Sequence, residues 1–247
     1  MKTLIFALAV LSLSISSCKK DKDVPEVRKN LLVKQTYFEN GAPSIVYTYG
    51  YDANNRMTSF AFTGNASNTP RNYSYTYNAA GALTEAFESQ SSLKTRYSYN
   101  ATGTVSDLKE YQVSGATETL VYTYIYSYAG GIISENLVYA LPANAFRNEY
   151  KYDVKGNLAE IKSYTTTVAN PAGTYSSTLT FSNYDSKHSP RKSFPAAMVF
   201  TYTAINNPGT LVYPSFTINY TYEYNADGYP TKRIDGTNSD TYEYRRL

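Results

Sequence analysis

Cysteine, histidine and tryptophan are almost missing from this chain of 247 residues, which has one cysteine (Cys18), one histidine (His188) and no tryptophan. A single thiol forms no intramolecular disulfide, so packing alone must hold the fold. A single imidazole excludes sites that need two, and with no thiol to join it the Cys–His dyads and most familiar zinc sites fall away. Charge of one sign is also lacking: 23 Lys+Arg stand against 20 Asp+Glu, with no cationic cluster. Phosphate binding needs a concentrated cationic face, so a nucleic-acid partner is not expected. No Gly-x-Ser-x-Gly elbow supports a triad built on His188, and no glycine loop is suited to cradle phosphate. Beyond the amino terminus there is no convincing amphipathic helix.

Residues 1–17 carry the three parts of a secretory signal: Lys2, an apolar stretch from Leu4 to Leu13, then Ser14, Ser16 and Ser17 before Cys18. The apolar stretch is too short to span a bilayer, which takes about 20 residues. Ile15-Ser16-Ser17-Cys18 resembles the lipobox of bacterial lipoproteins, in which the cysteine thiol takes a diacylglycerol and the peptide bond before it is cut. Cys18 is therefore the expected lipidation site, and the membrane, reached through that lipid, is the expected partner. Loss of residues 1–17 removes Lys2, leaving 22 Lys+Arg against 20 Asp+Glu, a net charge of +2. Residues 18–29, with Lys19-Lys20-Asp21-Lys22-Asp23-Val24-Pro25-Glu26, read as a flexible tether. This charged start looks like that of many Bacteroidota lipoproteins, where a lysine followed by two adjacent acids directs transport to the cell surface. Here Lys22 interrupts the acids, so an outer-membrane position facing either outward or inward fits.

What the chain has in abundance is tyrosine, 28 residues in all. The pattern Tyr-x-Tyr-(Asp/Asn)-x-x-(Gly/Asn)-x-apolar recurs from Tyr49 to Met57, Tyr75 to Leu83, Tyr97 to Val105 and Tyr150 to Leu158. Tyr222 to Gly228 is a fifth copy, Tyr126 to Gly131 a degenerate one, and Tyr184-Asp185 and Tyr242-Glu243-Tyr244 are fragments. Up to Tyr152 the second tyrosines are 26, 22, 29 and 24 residues apart, too uneven for a strict solenoid. Alternate tyrosines share one face of a strand, the Asp or Asn that follows can start a turn on its own backbone, and the glycine accepts positive φ. Each copy is thus a β-hairpin turn. Residues 120–128 show the faces: Tyr122, Tyr124, Tyr126 and Tyr128 on one, Val121, Thr123, Ile125 and Ser127 on the other. Leu158 and Ile161 sit three apart, which in a strand needs a bulge.

Residues 30–247 are accordingly expected to form one all-β domain, an antiparallel meander of about 14–16 strands curved into a half-barrel or barrel, because so many strands twist too far to stay flat. Residues 184–214, with Pro190, Pro195, Pro208 and Pro214, break the rhythm and read as a loop or insertion, with a short helical turn around Ala196 to Phe200.

The repeat resembles the YD repeat of the bacterial Rhs shells and the teneurins, where it builds a spiralling sheet around a cargo. Over residues 30–247, including Tyr184-Asp185-Ser186-Lys187-His188-Ser189-Pro190, the chain is more similar to a family of small Bacteroidota lipoproteins with YD-like repeats and a porin-like fold. The resemblance implies a curved antiparallel sheet and brings no functional residue with it.

No catalytic residue, metal ligand or cofactor is identified. His188 reads as a loop histidine. The acids Glu85, Glu88, Asp107, Glu110, Glu118, Glu135 and Glu160 could supply a glycosidase pair, but strand spacing alone cannot bring two within ~5–9 Å, and solvent-facing positions account for them better. Asp52, Asn78, Asn100, Asp153 and Asn225 invite a calcium reading, yet none lies in an Asp-x-Asp-x-Asp-Gly loop, so turn capping is preferred. The tyrosines can pack as cross-strand pairs, or offer part of their surface to a sugar or peptide. The leading expectation is a non-enzymatic, lipid-anchored envelope protein that binds a glycan or peptide or joins an envelope assembly. The alternatives are an outer-membrane barrel of porin type and a glycan hydrolase working through two carboxylates.

Overall fold

The computed structural model describes residues 30–64, 69–139, 145–167, 169–195, 197 and 205–247. The expected signal peptide, the tether with Cys18, and the helical turn expected at Ala196 to Phe200, Ala197 excepted, lie outside them.

The described residues form β1 (Asn30–Glu39), β2 (Ala42–Tyr51), β3 (Met57–Thr63), β4 (Arg71–Tyr77), β5 (Leu83–Glu88), β6 (Leu93–Tyr99), β7 (Val105–Ser114), β8 (Thr117–Ala129) and β9 (Ile132–Tyr139). They continue with β10 (Ala145–Tyr152), β11 (Leu158–Thr166), β12 (Thr174–Ser182), β13 (Thr210–Val212), β14 (Thr217–Asn219), β15 (Thr221–Tyr224), β16 (Pro230–Asp235) and β17 (Asn238–Arg246). Among the described residues every pairing is antiparallel, each strand except β14 pairs with the next in the chain, and β17 returns to pair with β1 from Asn30↔Arg246 to Phe38↔Ser239. The sheet is a barrel rather than a half-barrel, and closure removes the exposed edges of an open sheet. Only Tyr220 separates β14, which pairs with β13, from β15, which pairs with β16, so the two occupy one strand position. β13 lies inside the stretch 184–214 expected as a loop, so the insertion is shorter than the prolines suggested.

One local device recurs around the ring. The register shifts by one residue at Gly50/Tyr51, Thr76/Tyr77, Ser98/Tyr99, Lys151/Tyr152 and Glu223/Tyr224. Each is a bulge just after a repeat turn, and it lets both members of a pair spaced three apart face inward: Met57 and Phe60, Leu83 and Ala86, Val105 and Leu108, Leu158 and Ile161. The turns are capped as the sequence suggested. Asp52 Oδ1 accepts the amides of Asn54 and Arg56, both at 2.9 Å, and Asp153 Oδ1 accepts those of Lys155 and Asn157, both at 2.8 Å. Asn78, Asn100 and Asn225 cap their own turns in the same way. The glycine position needs the left-handed backbone region: φ is +83° at Gly81 and +80° at Gly103.

Neighbouring repeats are tied by tyrosine hydroxyls. The second tyrosine of a repeat donates to the carbonyl of the first apolar residue after the preceding turn: Tyr77 to Met57 (2.6 Å), Tyr99 to Leu83 (2.7 Å) and Tyr128 to Val105 (2.8 Å). Tyr184 to Leu158 and Tyr244 to Pro230 repeat the contact, and Tyr51 makes it to Leu32 in β1. A polar group on a mostly aromatic face is thereby satisfied at each step. The apolar residues so contacted, Leu32, Met57, Leu83, Val105, Leu158 and Pro230, are all 2 % exposed or less and form a collar inside the rim that carries the repeat turns.

The Tyr184-Asp185 fragment is a further repeat whose turn has been opened. Asp185 N–H donates to the Asn207 carbonyl, while Asp185 accepts the Asn207 amide at Oδ1 (3.1 Å) and the Asn207 side chain at Oδ2 (3.1 Å). Asp153 and Asn157 make the same three contacts across an ordinary turn. Residues 186–206 are therefore inserted into a turn, and of those described, residues 186–195 and Ala197 fold back into the barrel. Phe194 packs on Tyr49 at 5.1 Å between ring centroids, and Ala197 joins Leu83, Val105 and Tyr126. A ring of about 16 strands leaves an interior too wide for side chains alone to fill, and this segment takes up part of it.

Candidate functional site

Two cavities share the interior with the inserted segment, one of about 720 Å³ and one of about 290 Å³. The larger lies within the range usual for small-molecule sites. Its wall is an aromatic series in β2 to β4: Tyr47 stacks on Phe60 at 6.1 Å, Tyr49 on Phe60 at 5.3 Å, and Phe60 meets Tyr73 at 5.5 Å. Tyr75 and Tyr97 extend it into β6. Burial raises the phenols of Tyr49, Tyr75 and Tyr97 above their ordinary value of 10.0, so they stay protonated and can donate.

Charged groups in the larger cavity mostly satisfy one another. Arg233 meets Asp240 at 2.6 Å, and Gln35 Nε2 donates to Asp240 Oδ1 at 2.7 Å. Glu88, 3 % exposed, accepts the Ser91 amide at 3.2 Å and the Ser91 hydroxyl, with Arg71 at 3.7 Å. Glu110 is different. It is half-buried on the cavity wall and has no hydrogen-bond or ion-pair partner among the described residues. Burial, and then the neighbouring Glu88, raise its carboxyl above the ordinary value. Arg191 of the inserted segment and Arg233 line both cavities.

The seven acids expected to face solvent divide into two groups. Glu85 and Glu118 bond Lys94 and Arg96 on the outer face, and Asp107 and Glu160 are also on that face. Glu88, Glu110 and Glu135 point inward; the post-turn bulges set the parity of the first two, and Glu135 lies opposite the inward Tyr126 in a hairpin without a bulge. Glu135, 7 % exposed, accepts Tyr126 Oη (2.7 Å), Tyr150 Oη (2.9 Å) and Asn148 Nδ2 (3.0 Å). His188 is half-buried, not a solvated loop residue. Its ring lies 4.7 Å from Tyr229, and its Nδ1 is 3.3 Å from Lys192 Nζ. Among the described residues no group of three or more His, Cys, Asp or Glu could hold a metal ion.

Barrel, collar and enclosed aromatic cavity define a porin-like β-barrel fold. Solved structures of two porin-like proteins share it. One, from Bacteroides vulgatus, has a TM-score of 0.57 and 12 % identity over 88 % of this chain and all of its own. The other, from Bacteroides uniformis, has a TM-score of 0.52 and 17 % identity over 87 % of this chain and 96 % of its own. At these identities the likeness is one of fold. No protein-family model matches the chain, and no curated protein does.

Proposed function

We propose that this chain is a lipid-anchored envelope protein of the outer membrane whose barrel stands in water and binds a glycan in the larger interior cavity, without catalysis. The observation that carries this reading is the character of the two faces: the repeat tyrosines line the interior, and ion pairs cross the outer face in addition to the two inside. Lys94 and Arg96 with Glu85 and Glu118, Lys34 with Glu243, and Lys162 with Glu160 project from the outer face. A transmembrane barrel has the opposite pattern, and each Lys or Arg on a lipid-facing midplane costs ~2–4 kcal/mol. The porin-like fold is therefore read as a shape, and the lipid on Cys18 as the means of attachment.

A glycan is preferred to a peptide because the cavity offers flat apolar rings with protonated hydroxyls, while its Arg71–Glu88 and Arg233–Asp240 pairs leave little net charge. Hydrolysis is not favoured. Glu88 is held at both oxygens by Ser91 and is almost fully buried, so it is not free to serve as the second carboxylate of a pair with Glu110. Probing a glycan array with protein extracted from membranes in mild detergent tests the reading. Retention on neutral glycans, reduced by Tyr73→Ala, is expected. No retention on any glycan, with the barrel folded, would remove it.

A further inference from the structure

The inserted segment borders both cavities: Arg191 and Phe194 line the larger, and Ser189, Pro190 and Arg191 the smaller. Gln35 and Arg233 also line both, so the cavities adjoin at Gln35, Arg191 and Arg233. Arg233 is held at this junction, with Asp240 at 2.6 Å and the centre of the Tyr220 ring 4.7 Å from its guanidinium carbon. From there the smaller cavity continues along β12 and β13 to Leu179, Leu211 and Tyr213. Tyr213 stands beside the turn Pro214–Ser215, which its N–H closes by donating to the Phe216 carbonyl at 2.8 Å. The two rings stack across that turn, 4.3 Å between centroids and 15° between planes. Tyr213 lines the cavity, while Phe216 is 53 % exposed and carries the aromatic surface outward. The backbone bond already closes the turn, so the open Phe216 ring leaves apolar surface in water beside a cavity.

We infer that the smaller cavity is a second sugar subsite with the Tyr213–Phe216 pair as its stacking platform. One oligosaccharide then spans both cavities, from the Tyr47–Phe60–Tyr73 wall past Arg191 and Arg233 to the β13–β14 turn. The inference rests on the glycan reading above. At about 290 Å³ the smaller cavity is at the lower limit for a small-molecule site, so it suits the trailing units of a chain already held in the larger one. A sugar ring offers a flat apolar face to an aromatic ring and hydroxyls to neighbouring polar groups, which here are those of Tyr220 and Arg233. Because the second contact forms within one bound chain, even a weak stack raises affinity, and only for chains long enough to reach it.

Calorimetry on the protein extracted in mild detergent tests this with neutral gluco-, manno- and xylo-oligosaccharides of two to seven units. Affinity is expected to rise about tenfold at the length that reaches the β13–β14 turn. Phe216→Ala should abolish that rise while leaving the affinity for the shortest oligosaccharide that binds, and the melting temperature, unchanged. Phe216→Leu, which keeps an apolar contact with Tyr213 but no flat ring, should abolish it too, whereas Phe216→Tyr should retain it. Tyr73→Ala, in the larger cavity, should weaken binding at every length. A rise that survives Phe216→Ala and Phe216→Leu, or an affinity that is the same at all lengths, would overturn the second subsite while the glycan reading stands. No binding by any of these sugars would overturn the glycan reading itself.

Discussion

The second tyrosine of a repeat serves two ends: its ring fills the interior and its hydroxyl bonds a backbone carbonyl that lies beyond the end of the ladder between the two strands. Tyr99 is the simplest case, donating to the Leu83 carbonyl at 2.7 Å while its ring packs with Leu83 and Val105. Tyr99→Phe keeps the ring and removes the donor, so a loss of about 0.5–1.5 kcal/mol is expected from urea unfolding. No loss would mean the carbonyl finds another partner. The sequence discloses these tyrosines as a periodic face, and it discloses the capping Asp and Asn of each turn, because both depend on local spacing. It does not disclose that Glu88, Glu110 and Glu135 face inward. Bulges set the parity of Glu88 and Glu110, and only the spacing of pairs such as Leu158 and Ile161 hints at those, while Glu135 faces inward by pairing with Tyr126.

Among the elements, the insertion at residues 186–206 stands apart. Because Asp185 and Asn207 repeat the contacts of Asp153 and Asn157, the barrel does not need the insertion to close its turn. Replacing residues 186–206 with Val-Lys-Gly, as in Val154-Lys155-Gly156, should leave the all-β circular dichroism intact. Stability should fall by at most about 3–5 kcal/mol, the usual loss for a fully buried aromatic, since Phe194 is half-buried. A chain that no longer folds would show that the segment is part of the barrel core. The prolines announce an interruption here. They do not announce that β13 resumes at Thr210 or that Phe194 and Ala197 turn into the barrel, since both depend on partners far along the chain.

At the scale of the whole molecule, closure and the division of faces decide how the protein can meet a membrane. If the outer ion pairs stand in water, the chain without residues 1–18 should be a monomer in buffer without detergent, as judged by light scattering. Aggregation that only detergent relieves would return the barrel to the bilayer. The sequence by itself determined the strand class, the turn chemistry, the aromatic face and the expected lipid site, because each is written in spacings of a few residues. Tertiary structure alone decided that the meander closes through β1 and β17, that Phe194 and Ala197 of the insertion lie inside, and that Glu88, Glu110 and Glu135 face the interior. The physical reason is that register and curvature accumulate over the whole ring, and no short stretch of sequence contains that sum.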